Sequence, residues 1–214
     1  NKEYITEVEI IKNNIRAKDK YSFKSDFGKI ALFAGSRGFT GAAYISTQAA
    51  VKCGSGLTTL VTDSYVQDIA SQKLCEAMTL NIAENQKVIN LIKDCDAIGF
   101  GCGMGDNKVD VAKEFANKYK VVVLLKGYET VITNGKYTYI NPTGNSSMAN
   151  GGMGDTLLGM ITSFVGQGMT NLMGTVCAAY IHGYIGQRLS KDLYTVNASD
   201  VINLIPQTMK ELIN

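Results

Sequence analysis

Apolar positions follow two spacings along the chain. Short unbroken runs end in glycine or a polar turn: Lys29-Ile-Ala-Leu-Phe-Ala34 before Gly35, then Gly56–Thr62, Asp96–Phe100 and Lys120–Leu125. Runs of this length, bounded by glycine, predict buried strands. Between them the apolar residues recur at helical spacing, predicting helices over Ala42–Lys52, Tyr65–Leu74, Glu84–Lys93 and Val109–Tyr119, the last with Val111, Ala112, Phe115 and Ala116 on one face. Thr130–Thr133 and Lys136–Ile140 flank Asn134-Gly135, which predicts a hairpin with a tight turn. Two long helices follow, Thr156–Gly166 and Leu172–Leu189, then a terminal helix capped by Asn197 or Ser199 and interrupted at Pro206. Residues 1–22 read as a polar helix or arm with a loose stripe of Ile5, Val8, Ile10, Ile11 and Ile15. Alternating strands and helices, with apolar strands, predict an α/β fold whose central sheet is mostly parallel and carries helices on both faces.

A length of 214 residues suits one domain, and a 45% hydrophobic content suffices for its core. The net charge of +2 comes from scattered basic residues, so no nucleic-acid footprint is expected. Residues 1–20 are charged throughout, which argues against a signal peptide, and no apolar run reaches the length of a membrane span. The five cysteines form no C-x-x-C pair, and His182 is the single histidine, so no metal-ligating set is expected. Reduced, mostly buried thiols in a cytoplasmic protein are the economical reading. His182 lies on an Ala/Tyr/Gly-rich helix and reads as a satisfied packing residue.

Candidate chemistry concentrates in Asn141–Asp155, where four glycines and small polar residues run directly into an apolar helix. Free N–H groups at a helix start favour a phosphate, and glycines let the backbone approach it. Asp155 then stands beside that phosphate, where the helix dipole should keep it ionised, as a hydroxyl-orienting group and a modest base. Other glycine loops are less decisive. Gly35-x-x-Gly38-x-x-Gly41 matches neither the dinucleotide fingerprint nor a Walker A loop, and is either turn chemistry or a ligand loop. Gly101–Gly105 is equally open. Lys126, after a buried strand, either snorkels or reaches a phosphate.

Taken in order, Ala34-Gly-Ser-Arg-Gly-Phe-Thr-Gly-Ala-Ala43, Gly54-Ser-Gly-Leu57, Gly101-Cys-Gly-Met-Gly105, Lys126-Gly-Tyr-Glu-Thr130 and Asn145–Asp155 resemble the NAD(P)H-hydrate dehydratases of the ribokinase-like superfamily. The helix with Tyr180-Ile-His-Gly183 is similar too. The resemblance covers most of the chain and implies a three-layer ribokinase-like sandwich. It implies dehydration of hydrated NADH or NADPH, a small-molecule substrate, with ADP or ATP as phosphoryl donor and Mg²⁺ as cofactor. Phosphoryl transfer to the ring hydroxyl makes a better leaving group, and its elimination restores the ring. Residue by residue, it implies that Ala42, Gly105 and Asp155 contact the substrate, with Asp155 catalytic. Lys126, Gly127, Tyr128, Glu129, Thr130, Asn145, Gly151, Gly152 and Gly154 would hold the adenine nucleotide. It also implies a homo-oligomer, for which the apolar C-terminal helices offer either an interface or core.

The chain departs from the family pattern in three places. Phe23-Lys24-Ser25 stands where the family has His-Lys-Gly, and Cys102 where it has proline. Between Gly105 and Val109 the family has two more strand–helix units, including a histidine that contacts substrate. We therefore expect one domain over 1–214 with a block missing between Lys108 and Val109. The same glycine–aspartate chemistry also serves small-molecule kinases of the superfamily, and loss of the block would leave a catalytically impaired nucleotide-binding protein.

Overall fold

The protein is represented by a computed structural model that describes residues 2–15, 17–100, 113, 116–118 and 120–213. Gly105, Cys102 and the Lys108–Val109 junction lie outside them, as does most of the expected Val109–Tyr119 helix, of which Ala116 is buried. In chain order the strands are β1 (Lys2–Ile5), β2 (Lys29–Phe33), β3 (Leu57–Thr62), β4 (Met78–Asn81), β5 (Ala97–Phe100), β6 (Val123–Leu125), β7 (Thr130–Thr133) and β8 (Tyr137–Asn141). The helices are α1 (Val8–Asn14), α2 (Thr40–Lys52), α3 (Ser64–Ser71), α4 (Asn85–Asp94), α5 (Met153–Gly166), α6 (Asn171–Leu189) and α7 (Ala198–Ile213).

Among the described residues the strands form two four-stranded sheets. One is wholly parallel, in the order β4-β3-β2-β5. Its two central strands, β3 and β2, are buried along nearly their whole length because both faces are covered. Ile30 and Leu32 point toward Ala50 of α2 and Leu158 of α5, while Ala31 and Val61 point the other way, toward Val88 of α4. The second sheet, β1-β8-β7-β6, combines the expected antiparallel hairpin with β1, parallel to β8. Among the described residues β5 pairs only with β2, and β6 only with β7.

The largest core cluster joins the mixed sheet to the helical layer. It contains Ile132 of β7, Met160 and Phe164 of α5, Ile181 and Ile185 of α6 and Ile205 of α7. Fully burying a side chain of this size contributes roughly 1.5–3 kcal/mol. The C-terminal helices thus contribute a large part of the core. Gly159 brings α5 against α2. A Cβ there would stand 2.1 Å from the carbonyl oxygen of Ser46, so only glycine fits. That contact fixes where the first turn of α5 points.

Several expectations are corrected. The N-terminal segment divides into β1 and α1, and β1 exposes all four side chains, so pairing with β8 decides its conformation. β4 carries no recognisable apolar run and forms by pairing with β3. The strand expected over Lys120–Leu125 is β6 alone, because Lys120 adopts a left-handed φ of 57°. Pro206 does not interrupt α7: it is exposed within the helix, whose Val201, Ile202, Ile205 and Leu212 are buried. Their burial offsets the cost of an internal proline, about 3 kcal/mol.

Candidate active site

The site is organised by the start of α5, three residues earlier than the pattern suggested. Gly152 turns the chain with a left-handed φ of 86°, and the first helical hydrogen bond runs from the Thr156 amide to the Gly152 carbonyl at 2.9 Å. The amides of Met153, Gly154 and Asp155 thus lie ahead of the helical ladder, and Asp155 is the third residue of the first turn. The preceding loop is held from two sides. Thr143 Oγ1 donates to the Tyr180 carbonyl of α6 at 2.9 Å, and Asn150 Nδ2 to the Val196 carbonyl at 2.5 Å. Asn145 accepts from the Ser147 amide at 3.1 Å and donates to Ser190 Oγ at 2.7 Å, so its amide shapes the loop.

Three glycines here are not explained by the fold. Gly41, Gly151 and Gly154 have no left-handed φ, and a Cβ added to any of them meets nothing within 4 Å. Neither backbone conformation nor packing requires glycine at these positions. What the missing side chains leave is open space beside backbone, the condition for close approach of a phosphate to the helix start.

Lys126 leaves the end of β6 and is exposed. The turn behind it is closed by Thr130, whose Oγ1 accepts from the Gly127 amide at 3.2 Å and donates to the Gly127 carbonyl at 3.0 Å. Glu129 takes a left-handed φ of 53° in that turn, and Tyr128 is exposed. Lys126 acts electrostatically on two groups. Partial burial raises the Asp155 carboxyl above its ordinary range, and the Lys126 charge pulls it partly back. His182 is held down to about 4, chiefly by burial and then by Lys126, while backbone hydrogen bonding to Met153 works the other way.

Two expectations change here. The helix dipole alone suggested an Asp155 of low basicity, but burial outweighs the opposing influence of Lys126 and makes it a better base. His182 is buried, as a packing residue should be, yet its Nε2 finds no hydrogen-bond partner among the described residues.

The glycine loop also meets the first turn of α2. Gly151, with Thr40, Gly41 and Tyr44, lines a cavity of about 450 Å³ whose far wall includes Lys73 and the start of α7. Ala42 lies in the same α2 turn, half-buried, with its carbonyl accepting from Ser46 Oγ at 2.8 Å. The structure thus brings the turn of Ala42 to the glycine loop, and Lys126 into electrostatic reach of Asp155. No sequence motif marked Tyr44 or Lys73, which sit on separate elements with no shared spacing.

A parallel α/β sheet, a glycine-opened helix, and a cation and carboxylate at its start define a nucleotide-binding protein of ribokinase-like fold. The chain belongs to the NAD(P)H-hydrate dehydratase family, whose sequence profile matches residues 30–110 and 104–207. It is 29% identical, over 272 aligned positions and 98% of each chain, to the ADP-dependent (S)-NAD(P)H-hydrate dehydratase of Staphylococcus aureus. Since 98% of 214 residues is about 210, about 60 of those positions have no residue in this chain. It is similar in fold to a Streptococcus mutans protein, with a TM-score of 0.88, 23% identity, and 98% and 100% of the two chains covered. It is likewise similar to an ADP/ATP-dependent NAD(P)H-hydrate dehydratase from Bacillus subtilis co-crystallised with ATP/Mg²⁺. There the TM-score is 0.83 and the identity 21%, with 98% of each chain covered.

Proposed function

We propose that the protein dehydrates hydrated NADH or NADPH with an adenine nucleotide as phosphoryl donor, in a reaction carried by the first turn of α5. The observation that carries this reading is the open space at Gly151 and Gly154 in the turn that leads to Asp155, a carboxylate in electrostatic reach of Lys126. Lys126 and the amides of Met153–Asp155 hold the terminal phosphate, with the Lys126–Thr130 turn and the Asn145 loop framing the nucleotide. Asp155 orients the ring hydroxyl and takes its proton as the new O–P bond forms and the donor's phosphoanhydride bond breaks. The phosphate then leaves with the C–O electron pair, and loss of a neighbouring ring proton restores the double bond. Positioning and charge stabilisation do most of the work in such a transfer. Mg²⁺ would be held by the donor's phosphates with Asp155, and would supply charge neutralisation there. The assay is return of NADH absorbance from its hydrate with ADP or ATP. Turnover that requires a nucleotide and is lost in Asp155→Asn supports the reading; nucleotide binding without turnover marks an impaired binding protein.

The proposal extends to the chain itself. Lys108 and Val109 would not be neighbours in the intact enzyme, which would carry two further strand–helix units there in one domain. Three observations support this: β5 and β6 each have a side without a strand partner among the described residues, the profile match falls in two segments meeting near 104–110, and some 60 positions are unmatched. Two strands are what would join the two sheets. An intact mass above that of the 214-residue chain is the expected result. A mass equal to it rejects the block. A cytoplasmic homo-oligomer completes the reading, supported for the compartment by the free state of Cys53, Cys75, Cys95 and Cys177.

A further inference from the structure

The cavity between α2, α3 and α7 has a composition that the phosphoryl-transfer reading does not use. Its walls are mostly apolar, with Ile45, Ile69 and Ile202 among them, and it carries the Tyr44 ring. Lys73 is the one charged side chain among the residues that line it. The Lys73 ammonium sits 5.7 Å from the centre of the Tyr44 ring, and Lys73 has no ion-pair partner among the described residues. The start of α7 also reaches the cavity, but there the Asn197 amide already donates to Asp200 Oδ2 at 2.9 Å. That carboxylate offsets the helix dipole, so the positive charge of the cavity comes from Lys73.

A volume of about 450 Å³ falls within the range of small-molecule sites, roughly 300–1,000 Å³. Gly151 forms part of its wall, so the cavity opens onto the glycine loop that leads to Asp155. Lys126 does not line it. Lys126 lies in electrostatic reach of Asp155, whereas Lys73 lines the cavity that Gly151 shares with the first turn of α2. A dinucleotide carries phosphate of its own, attached to sugars and flat rings that suit an apolar wall and an aromatic side chain.

We propose that Lys73 is a substrate-binding residue that pairs with a phosphate of the hydrated dinucleotide, while Tyr44 and the apolar wall of the cavity take the attached sugar and ring. This rests on the dehydratase reading. A charge-assisted hydrogen bond to phosphate in such a setting is worth on the order of a tenfold change in affinity.

The test compares Lys73→Ala, Lys73→Glu and Lys73→Arg with the wild type in two measurements: steady-state kinetics with NADH hydrate and NADPH hydrate, and equilibrium binding of NADPH followed by its fluorescence. Lys73→Ala is expected to raise the KM for the hydrates about tenfold and weaken NADPH binding in parallel. Lys73→Glu should do so more strongly, and Lys73→Arg should restore most of both. The KM for ADP or ATP should not move, a pattern a general loss of structure would not produce. An unchanged hydrate KM in Lys73→Ala, or an equal rise in the donor KM, overturns the assignment. If the wild type binds NADPH but turns over neither hydrate, the dehydratase reading fails while the binding series still decides Lys73. If the wild type does not bind NADPH, the assignment to a dinucleotide falls.

Discussion

The first turn of α5 and the body of the same helix use glycine for opposite reasons. At Gly159 the chain has no choice: a methyl group would strike the Ser46 carbonyl at 2.1 Å, and α2 could not lie where it does. At Gly154, five residues earlier, a methyl group would touch nothing. Glycine at that position costs helix stability and gains the fold nothing, so its reason lies outside the polypeptide. The contrast separates a residue required for packing from one required for a ligand, and it does so from geometry alone.

The largest expected effect falls at the start of the helix. Asp155→Asn should lower kcat by about 10²–10⁴-fold, the range for a positioned acid–base group, without lowering the unfolding midpoint. A loss of stability in step with activity would mean that the start of α5 is structural, like its body, and the contrast would collapse.

Next comes His182, against Met153 in the first turn. Its folded value near 4 lies below the ordinary 6.5, so the unfolded chain binds the proton first. Its contribution to stability is therefore complete above about pH 6.5 and is lost as the pH falls toward 4. The shift corresponds to about 3 kcal/mol at the acid end. Denaturant unfolding from pH 7.5 to 4.5 should show His182→Gln losing less stability than the wild type over that window. Parallel curves would remove the inference that the ring is held neutral there.

The two glycines themselves give the smaller and more diagnostic effects. Gly159→Ala should cost about 1–3 kcal/mol or more through overpacking. Gly154→Ala should leave stability unchanged or raise it by up to about 1 kcal/mol, since alanine is the better helix former. It should nevertheless weaken ADP binding about tenfold, measured by calorimetry, through the methyl group placed where a phosphate approaches. Equal behaviour of the two variants would erase the distinction between them.

Much of this architecture was legible in advance, and the reasons differ by region. Strands buried on both faces write themselves as apolar runs, which is why β2 and β3 could be read directly; the run of β5 was legible although Ile98 is exposed. Asn134-Gly135 announced its hairpin because few residues accept that turn. β1 and β4 could not be read, because neither contains an apolar run and each exists by pairing with a neighbour distant in the chain. In the site, Lys126, the glycine loop and Asp155 were legible as motifs. Lys73 and Tyr44 were not, since their cavity is assembled from α2, α3 and α7.

By itself the sequence determined the α/β class, the order of the elements and the residue types that can hold a phosphate, because periodicity and glycine placement are local properties. Only the tertiary structure decided the rest. It made the C-terminal helices core, kept α7 intact through Pro206, and lifted the basicity of Asp155 by burying it. It also paired β1 with β8 and β4 with β3, strands that no local pattern announced. Burial, pairing and electrostatic reach depend on what lies beside a residue in space, and that neighbour is seldom the next residue along the chain.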